Sequence, residues 1–252
     1  MTDRAASEVL GFALVFGMVV TAVAIVSVSG LGTLQDVRDA EQMNNAERAF
    51  DVLADNMADL HQRGAPSRAT EISLESTQLY TGENVTINVT ATDGSGVNAS
   101  RSVERSVRPI VYEGNQERRL VYEGGAVFRT NRDGGLVIGE PPTVFADDRV
   151  LVPIVQTRTE NVRSVGGSTV LVRANRQSSE VNISATDGRY TDVSVNVTSP
   201  RWRLWQEYFE GTRLSDCTSS PADQRVTCSL ESGVDPERVY VTVHEIDVAI
   251  EL

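Results

Sequence analysis

The sequence contains no lysine: its 23 basic residues are all arginine, set against 35 acidic ones for a net charge of -12. Such a charge repels itself in dilute buffer and is tolerated where concentrated salt screens it, so an arginine-biased, halophilic source is expected. No basic patch and no basic–aromatic interleaving occurs, which excludes nucleic acid as an expected partner. Histidine is almost as scarce, with two copies. His61 ends a helical stretch, where a cation would favour the helix C-terminus. His244 lies in an alternating segment with Glu245 and Asp247 on the opposite face, so these acids cannot orient it as a triad would. There is no phosphate-binding glycine loop, no His-Glu pair at helical spacing and no Gly-X-Ser-X-Gly elbow. Asp133 and Asp147-Asp148 lack the ligand spacing of a calcium loop and read as solvated surface. No catalytic residue, metal or cofactor is therefore expected, and the chain reads as non-enzymatic.

Cysteine is limited to Cys217 and Cys228. Their proximity suits a disulfide closing a small loop, with the turn placed at Ser219 to Pro221. A zinc site would need His or carboxylate partners that are not nearby.

What the chain has in excess is one apolar run. Val9 to Leu31 carries no charge, and as a helix it would be roughly 35 Å long, enough to cross a hydrocarbon core of about 30 Å. A secretory signal would have a shorter core followed by a small-residue cleavage site, and no convincing break is seen here. The helical pattern continues beyond it: Met43, Ala46, Phe50, Leu53, Met57 and Leu60 repeat at three and four, a stripe expected to dock on the chain's own downstream domain. A bend is expected near Gly30 and Gly32, and Gly64 with Pro66 ends the helix. Basic flanks do not decide the orientation. The downstream chain does, because it carries five Asn-X-Ser/Thr sequons, at Asn84, Asn88, Asn98, Asn182 and Asn196, as well as the cysteine pair. An extracellular C-terminal domain is expected.

The start, Asp3-Arg4-Ala5-Ala6-Ser7-Glu8-Val9-Leu10-Gly11, resembles the N-terminus of haloarchaeal type IV pilins and pilin-like proteins. In that family a short charged leader precedes a Ser-Pro-Val-Ile-Gly-like sequence and the hydrophobic helix. Ser7, Val9 and Gly11 match, whereas Glu8 stands where proline is common. The resemblance implies cleavage by a prepilin peptidase near Arg4, Ala5 and Ala6, with the helix retained as an anchor or filament core. It also offers Glu8 as a carboxylate able to neutralise a neighbouring subunit's amine; the alternative is that Glu8 sits among lipid headgroups. The resemblance is specific over about the first 35 residues. Segments around Ile110–Gly114 and Leu120–Arg129 are similar to uncharacterised haloarchaeal surface proteins.

After Pro66 the period changes to two. Strands are expected at Ile72–Leu74, Asn84–Thr90, Val107–Tyr112, Arg119–Arg129, Leu136–Ile138, Val150–Gln156, Thr169–Arg173, Val239–Val243 and Ile246–Ile250. The Val-Tyr-Glu-Gly echo at Val111 and Val121 predicts adjacent hairpin strands with Asn115 to Glu117 near the tip. A second echo, Asn88–Gly94 against Asn182–Gly188, is too short to argue tandem domains. Ser199-Pro200 opens a second helix as cap and first residue, with Trp202, Trp205 and Phe209 on one face, expected as core.

The expected fold is α+β: a long N-terminal helix, then a mostly antiparallel β-rich domain with one short helix in the C-terminal half. Residues 1–8 form a leader-like start, 9–31 a membrane span, 32–64 an amphipathic extension and 65–252 the extracellular domain. The function expected is that of a membrane-anchored, pilin-like surface protein, with lipid, a prepilin peptidase and other pilin-like subunits as partners. The alternative is a monomeric anchored adhesin or ligand-binding module; a hydrolase would require dispersed carboxylates to converge in a pocket.

Overall fold

The computed structural model describes residues 2–75, 77–93, 100–132, 134–159, 164–167, 169–186 and 190–251, with side chains except at 2–9, 28–33 and 164. The chain divides into two compact units, Met1–Asn44 and Asn45–Leu252. Helix α1 (Thr2–His61) supplies the first unit and the opening of the second. Its assignment is helical throughout; the side chains around the bend expected near Gly30 and Gly32 lie outside the described residues. Gly64 adopts φ 73°, and the Ala65 N–H donates back to Asp59 O, ending the helix where the glycine and proline foretold.

The second unit is built on three sheets. Sheet I has the order β1-β12-β16-β10-β9, from Ser67–Ser73, Thr169–Ala185, Arg238–Glu251, Arg149–Arg158 and Val144–Phe145. Sheet II runs β11-β2-β5-β6-β7-β8, from Ser164–Gly166, Gln78–Thr81, Ile110–Glu113, Arg119–Glu123, Ala126–Thr130 and Gly135–Gly139. Sheet III runs β14-β15-β13-β3-β4, from Asp216–Ser220, Arg225–Ser229, Tyr190–Thr198, Val85–Asp93 and Arg101–Val107. All described pairs are antiparallel except β10 with β16. The α+β expectation holds, with this one parallel contact added.

Several boundaries move. The run 107–112 is two strands, because Arg108-Pro109 intervenes and proline cannot donate to a ladder. The run 119–129 is a tight hairpin: Gly124 and Gly125, at φ 61° and 95°, form the two-residue turn between β6 and β7. A Cβ on Gly125 would lie 2.6 Å from Pro142 Cδ, so glycine is required there for space as well as conformation. β12 extends far past Arg173 through a solvent-facing stretch with two bulges, a segment whose polar composition hid it from a periodicity reading. The two closing runs, 239–243 and 246–250, form the single final β segment expected of them, β16. The expected β5–β6 hairpin is present, with Val111 opposite Val121 and a 3₁₀ turn at Asn115–Glu117.

Burial switches sides along sheet I. Val150, Val152 and Ile154 of β10, with Val239, Val241 and Val243 of β16, enter the core shared with sheet III. From Val155 and His244, which are register partners, burial moves to the opposite face at Thr157, Ile246, Val248 and Ile250. Strict alternation makes this switch possible without a break in the strand. Sheet II is buried on both faces. Val111, Val121 and Phe128 face the shared core, while Tyr112, Leu120 and Tyr122 face the other way.

The final turns of α1 cover that second side. Ala46, Phe50, Leu53, Met57 and Leu60 are each at most 2% exposed, and the Phe50 ring meets Tyr112 edge-on at 6.4 Å. From Ala46 to Leu60 the stripe thus docks on its own β domain as expected. Polar contacts fix the register of the helix: Asn56 Nδ2 donates to Thr70 Oγ1 at 2.9 Å, Arg129 pairs with Glu47 at 2.7 Å, and Asp59 accepts from Arg68 at 2.9 Å.

Candidate functional site

Within the first unit, the stretch Leu10–Ser27 has a mean hydropathy of 2.4 and none of its 18 residues is buried. Phe12, Phe16, Met18 and Val26 of this helix are 59–76% exposed, an apolar surface that the described residues leave uncovered. Its threonine hydroxyl is used within the helix, Thr21 Oγ1 donating to Gly17 O at 2.8 Å. Gly11 and Gly17 have nothing within 4 Å of an added Cβ. Arg4, Ala5, Ala6 and Glu8 belong to the same helix, and their side chains lie outside the described residues.

In the second unit Cys217 and Cys228 form the expected disulfide. They are directly opposed residues of β14 and β15. The turn between them is Pro221–Asp223 with Gln224 left-handed, not Ser219–Pro221, since Ser219 still pairs with Val226 in the ladder.

The second helix, α2 (Trp202–Glu210), begins two residues later than Ser199-Pro200 suggested. Ser199 Oγ accepts from the Arg201 N–H, so the hydroxyl closes a turn ahead of the helix instead of capping it. Leu204, Trp205 and Phe209 are buried, Trp205 meeting Phe128 edge-on at 5.4 Å, so that Trp205 and Phe209 are core as expected. Trp202 is only partly buried against that core.

Next to the start of this helix lies an ion pair that the sequence did not announce, Arg201 with Glu123. Glu123 is fully buried at the end of β6; it accepts from Arg201 Nε at 2.7 Å and from Trp205 Nε1 at 2.8 Å, with Arg201 Nη2 closing the fork. One clue existed, a carboxylate at the end of the apolar run Leu120-Val121-Tyr122. Its partners, however, lie 78 and 82 residues away.

His61 is corrected. Instead of a cation at the helix end, it is a neutral imidazole: burial and then the nearby His244 lower its pKa to about 4. The two rings lie 5.5 Å apart. His244 is likewise lowered, by burial and then by the Arg176 charge, and is held between Ser179 Oγ at 2.7 Å and Thr242 Oγ1 at 2.9 Å. Asp147 pairs with Arg213 and Asp148 with Arg238 and Arg149, so these acids are engaged with arginine; Asp133 lies outside the described residues. Among the described residues, no three His, Cys, Asp or Glu side chains are grouped as a metal site would need.

Beside α2 lies an open groove of about 540 Å³, lined by Glu140, Tyr208, Phe145, Leu136, Val144 and Glu207 among others. Tyr208 is anchored there by a 2.7 Å hydrogen bond to Thr143. Two stretches far apart in sequence, 136–145 and 207–212, build this groove, which is why no motif betrayed it.

Of the five sequons, Asn84 is exposed in the loop between β2 and β3, and Asn88 and Asn196 are register partners on β3 and β13. Asn182 sits at a bulge of β12, and Asn98 lies outside the described residues.

The chain belongs to DUF7289, a family of unknown function, whose model matches residues 4–249. No curated protein and no solved structure matches it.

Proposed function

We propose that this DUF7289 protein is a membrane-anchored, pilin-like surface protein, holding its β domain outside the cell and assembling laterally as a minor subunit of a type IV pilus. The observation that carries the reading is the division of labour along α1. Its first part offers an uncovered apolar surface of membrane-crossing length, while its last turns are consumed by docking on the β domain. The family match takes in the apolar stretch together with the domain. The Cys217–Cys228 disulfide supports an oxidising location for the domain. Lateral packing would use the open surface at Gly11 and Gly17, where helices can approach closely, and Glu8 would neutralise a neighbouring amine.

Intact mass and N-terminal peptide mapping of the protein from its native membrane test this. A mature chain beginning at Ala5 or Ala6 with residues 10–27 retained is expected. A chain beginning after residue 27 would show the helix to be a signal, and one beginning at Met1 or Thr2 would remove pilin-type processing. The groove beside α2 favours a second reading, an anchored adhesin without a filament. Cross-linking in intact cells separates the two: a ladder of helix-linked subunits belongs to the filament, monomers to the adhesin.

A further inference from the structure

We propose that Asn84 is, among the sequons on described residues, the one that is N-glycosylated, modified by a membrane oligosaccharyltransferase that uses a lipid-phosphate-linked sugar; the inference rests on the outside location proposed above. Four of the sequons fall on described residues, and their surroundings differ. Asn88 lies mid-strand in β3, which is hydrogen-bonded to strands on both sides. Its Nδ2 donates to Glu104 at 3.1 Å, and its Oδ1 accepts from Ser102 at 2.8 Å and from Thr90 at 3.2 Å. Asn196, directly across the ladder on β13, donates to Thr227 Oγ1 at 2.7 Å. Two bulky glycans cannot stand on facing residues of adjacent strands roughly 5 Å apart. Asn182 sits at a bulge with its Oδ1 buried and unpartnered among the described residues.

Asn84 has none of these constraints. It is exposed beside the exposed Glu83, and its side chain makes no hydrogen bond to a described residue. The loop is held at its base, where the Gly82 N–H donates to Pro109 O at 2.9 Å and Arg108 Nη1 donates to Gly82 O at 3.2 Å. The Asn84 amide is therefore presented on a short surface loop, the setting in which a transferase can engage Asn-X-Thr and the attached glycan displaces nothing. In the transfer, Asn84 Nδ2 bonds to the anomeric carbon of the donor sugar. The bond from that carbon to the phosphate oxygen breaks, the lipid phosphate leaves with the electron pair, and one amide proton is released.

The test is glycopeptide mapping of the full chain purified from native membranes, beside Asn84→Gln and Asn88→Gln/Asn196→Gln variants expressed in the same cells. The same preparation reports the redox state of Cys217 and Cys228, and protease added to intact cells reports whether the β domain is outside. Expected are a glycan on the Asn84 peptide, its mass lost in Asn84→Gln and kept in the double variant. A bare Asn84 in a domain that is disulfide-bonded and cleaved by external protease overturns the proposal alone. A bare Asn84 in a protease-protected domain with free thiols overturns the outside location and the proposal together. Glycan on Asn88, Asn182 or Asn196 with Asn84 bare also overturns it.

Discussion

At the scale of single residues, the informative groups are charges buried where the chain can least tolerate losing a partner. Glu123 is the clearest, because its carboxylate is sealed from water and satisfied by Arg201 and Trp205. Arg201→Met should destabilise the domain by about 3–5 kcal/mol, and a Glu123→Gln change on that background should recover part of the loss. Denaturant unfolding of the three proteins checks this. The His61–His244 pair gives a pH dependence whose sign follows from its lowered values. The unfolded chain takes up protons as pH falls below 6.5, whereas folded His61 resists until about 4. Stability is thus fully present above pH 6.5 and declines as pH falls toward 4. His61→Gln should flatten the decline between pH 6.5 and 5, above the range where carboxylates titrate. An unchanged slope in denaturant titrations at those pH values would mean that the pair is not buried neutral in solution.

At the scale of elements, α1 joins an exposed apolar first part to last turns that are docked on the β domain. Leu53→Ala and Met57→Ala, both deep in the docking stripe, should each cost about 2–5 kcal/mol. Val52→Ala, at a position 52% exposed on the same turns, should change stability by less than about 0.5 kcal/mol. A thermal-melt series distinguishes a docked helix from one that merely leads to the domain, since only the former separates these positions. The β6–β7 turn is equally demanding. Gly125→Ala meets Pro142 and a left-handed φ at once, and should cost about 2–4 kcal/mol. The cross-strand disulfide closes a loop with a sequence separation of 11, and Cys217→Ser/Cys228→Ser should lose about 3 kcal/mol by the chain-entropy argument.

At the scale of the whole molecule, the proposed role depends on the exposed apolar stretch and the β domain being parts of one working protein. Val15→Arg with Val19→Arg places two charges near the middle of the Leu10–Ser27 stretch. Each should oppose membrane insertion by about 2.5–3.5 kcal/mol. The variant should move from the membrane pellet to the soluble fraction with an unchanged melting temperature for the β domain. Retention of the double-arginine variant in the membrane would require a different anchor. The net charge of -12 adds a second expectation, that the domain gains stability as salt rises from low to molar concentration.

The sequence by itself determined whatever depends on neighbours along the chain. The charge-free run, the stripe from Ala46 to Leu60, the Gly64 stop, the β5–β6 hairpin and the Cys217–Cys228 link were all legible, because periodicity, turn chemistry and short loops are local. Trp205 and Phe209 were legible as core for the same reason, whereas Trp202, expected with them, is only partly buried. Only the tertiary structure decided how the strands gather into three sheets, where burial changes face along β10 and β16, and that Glu123 finds Arg201. It also turned His61 from a helix-end cation into a neutral partner of His244. Those outcomes depend on desolvation and on contacts between segments many tens of residues apart, and no pattern in the intervening sequence records which surfaces will meet.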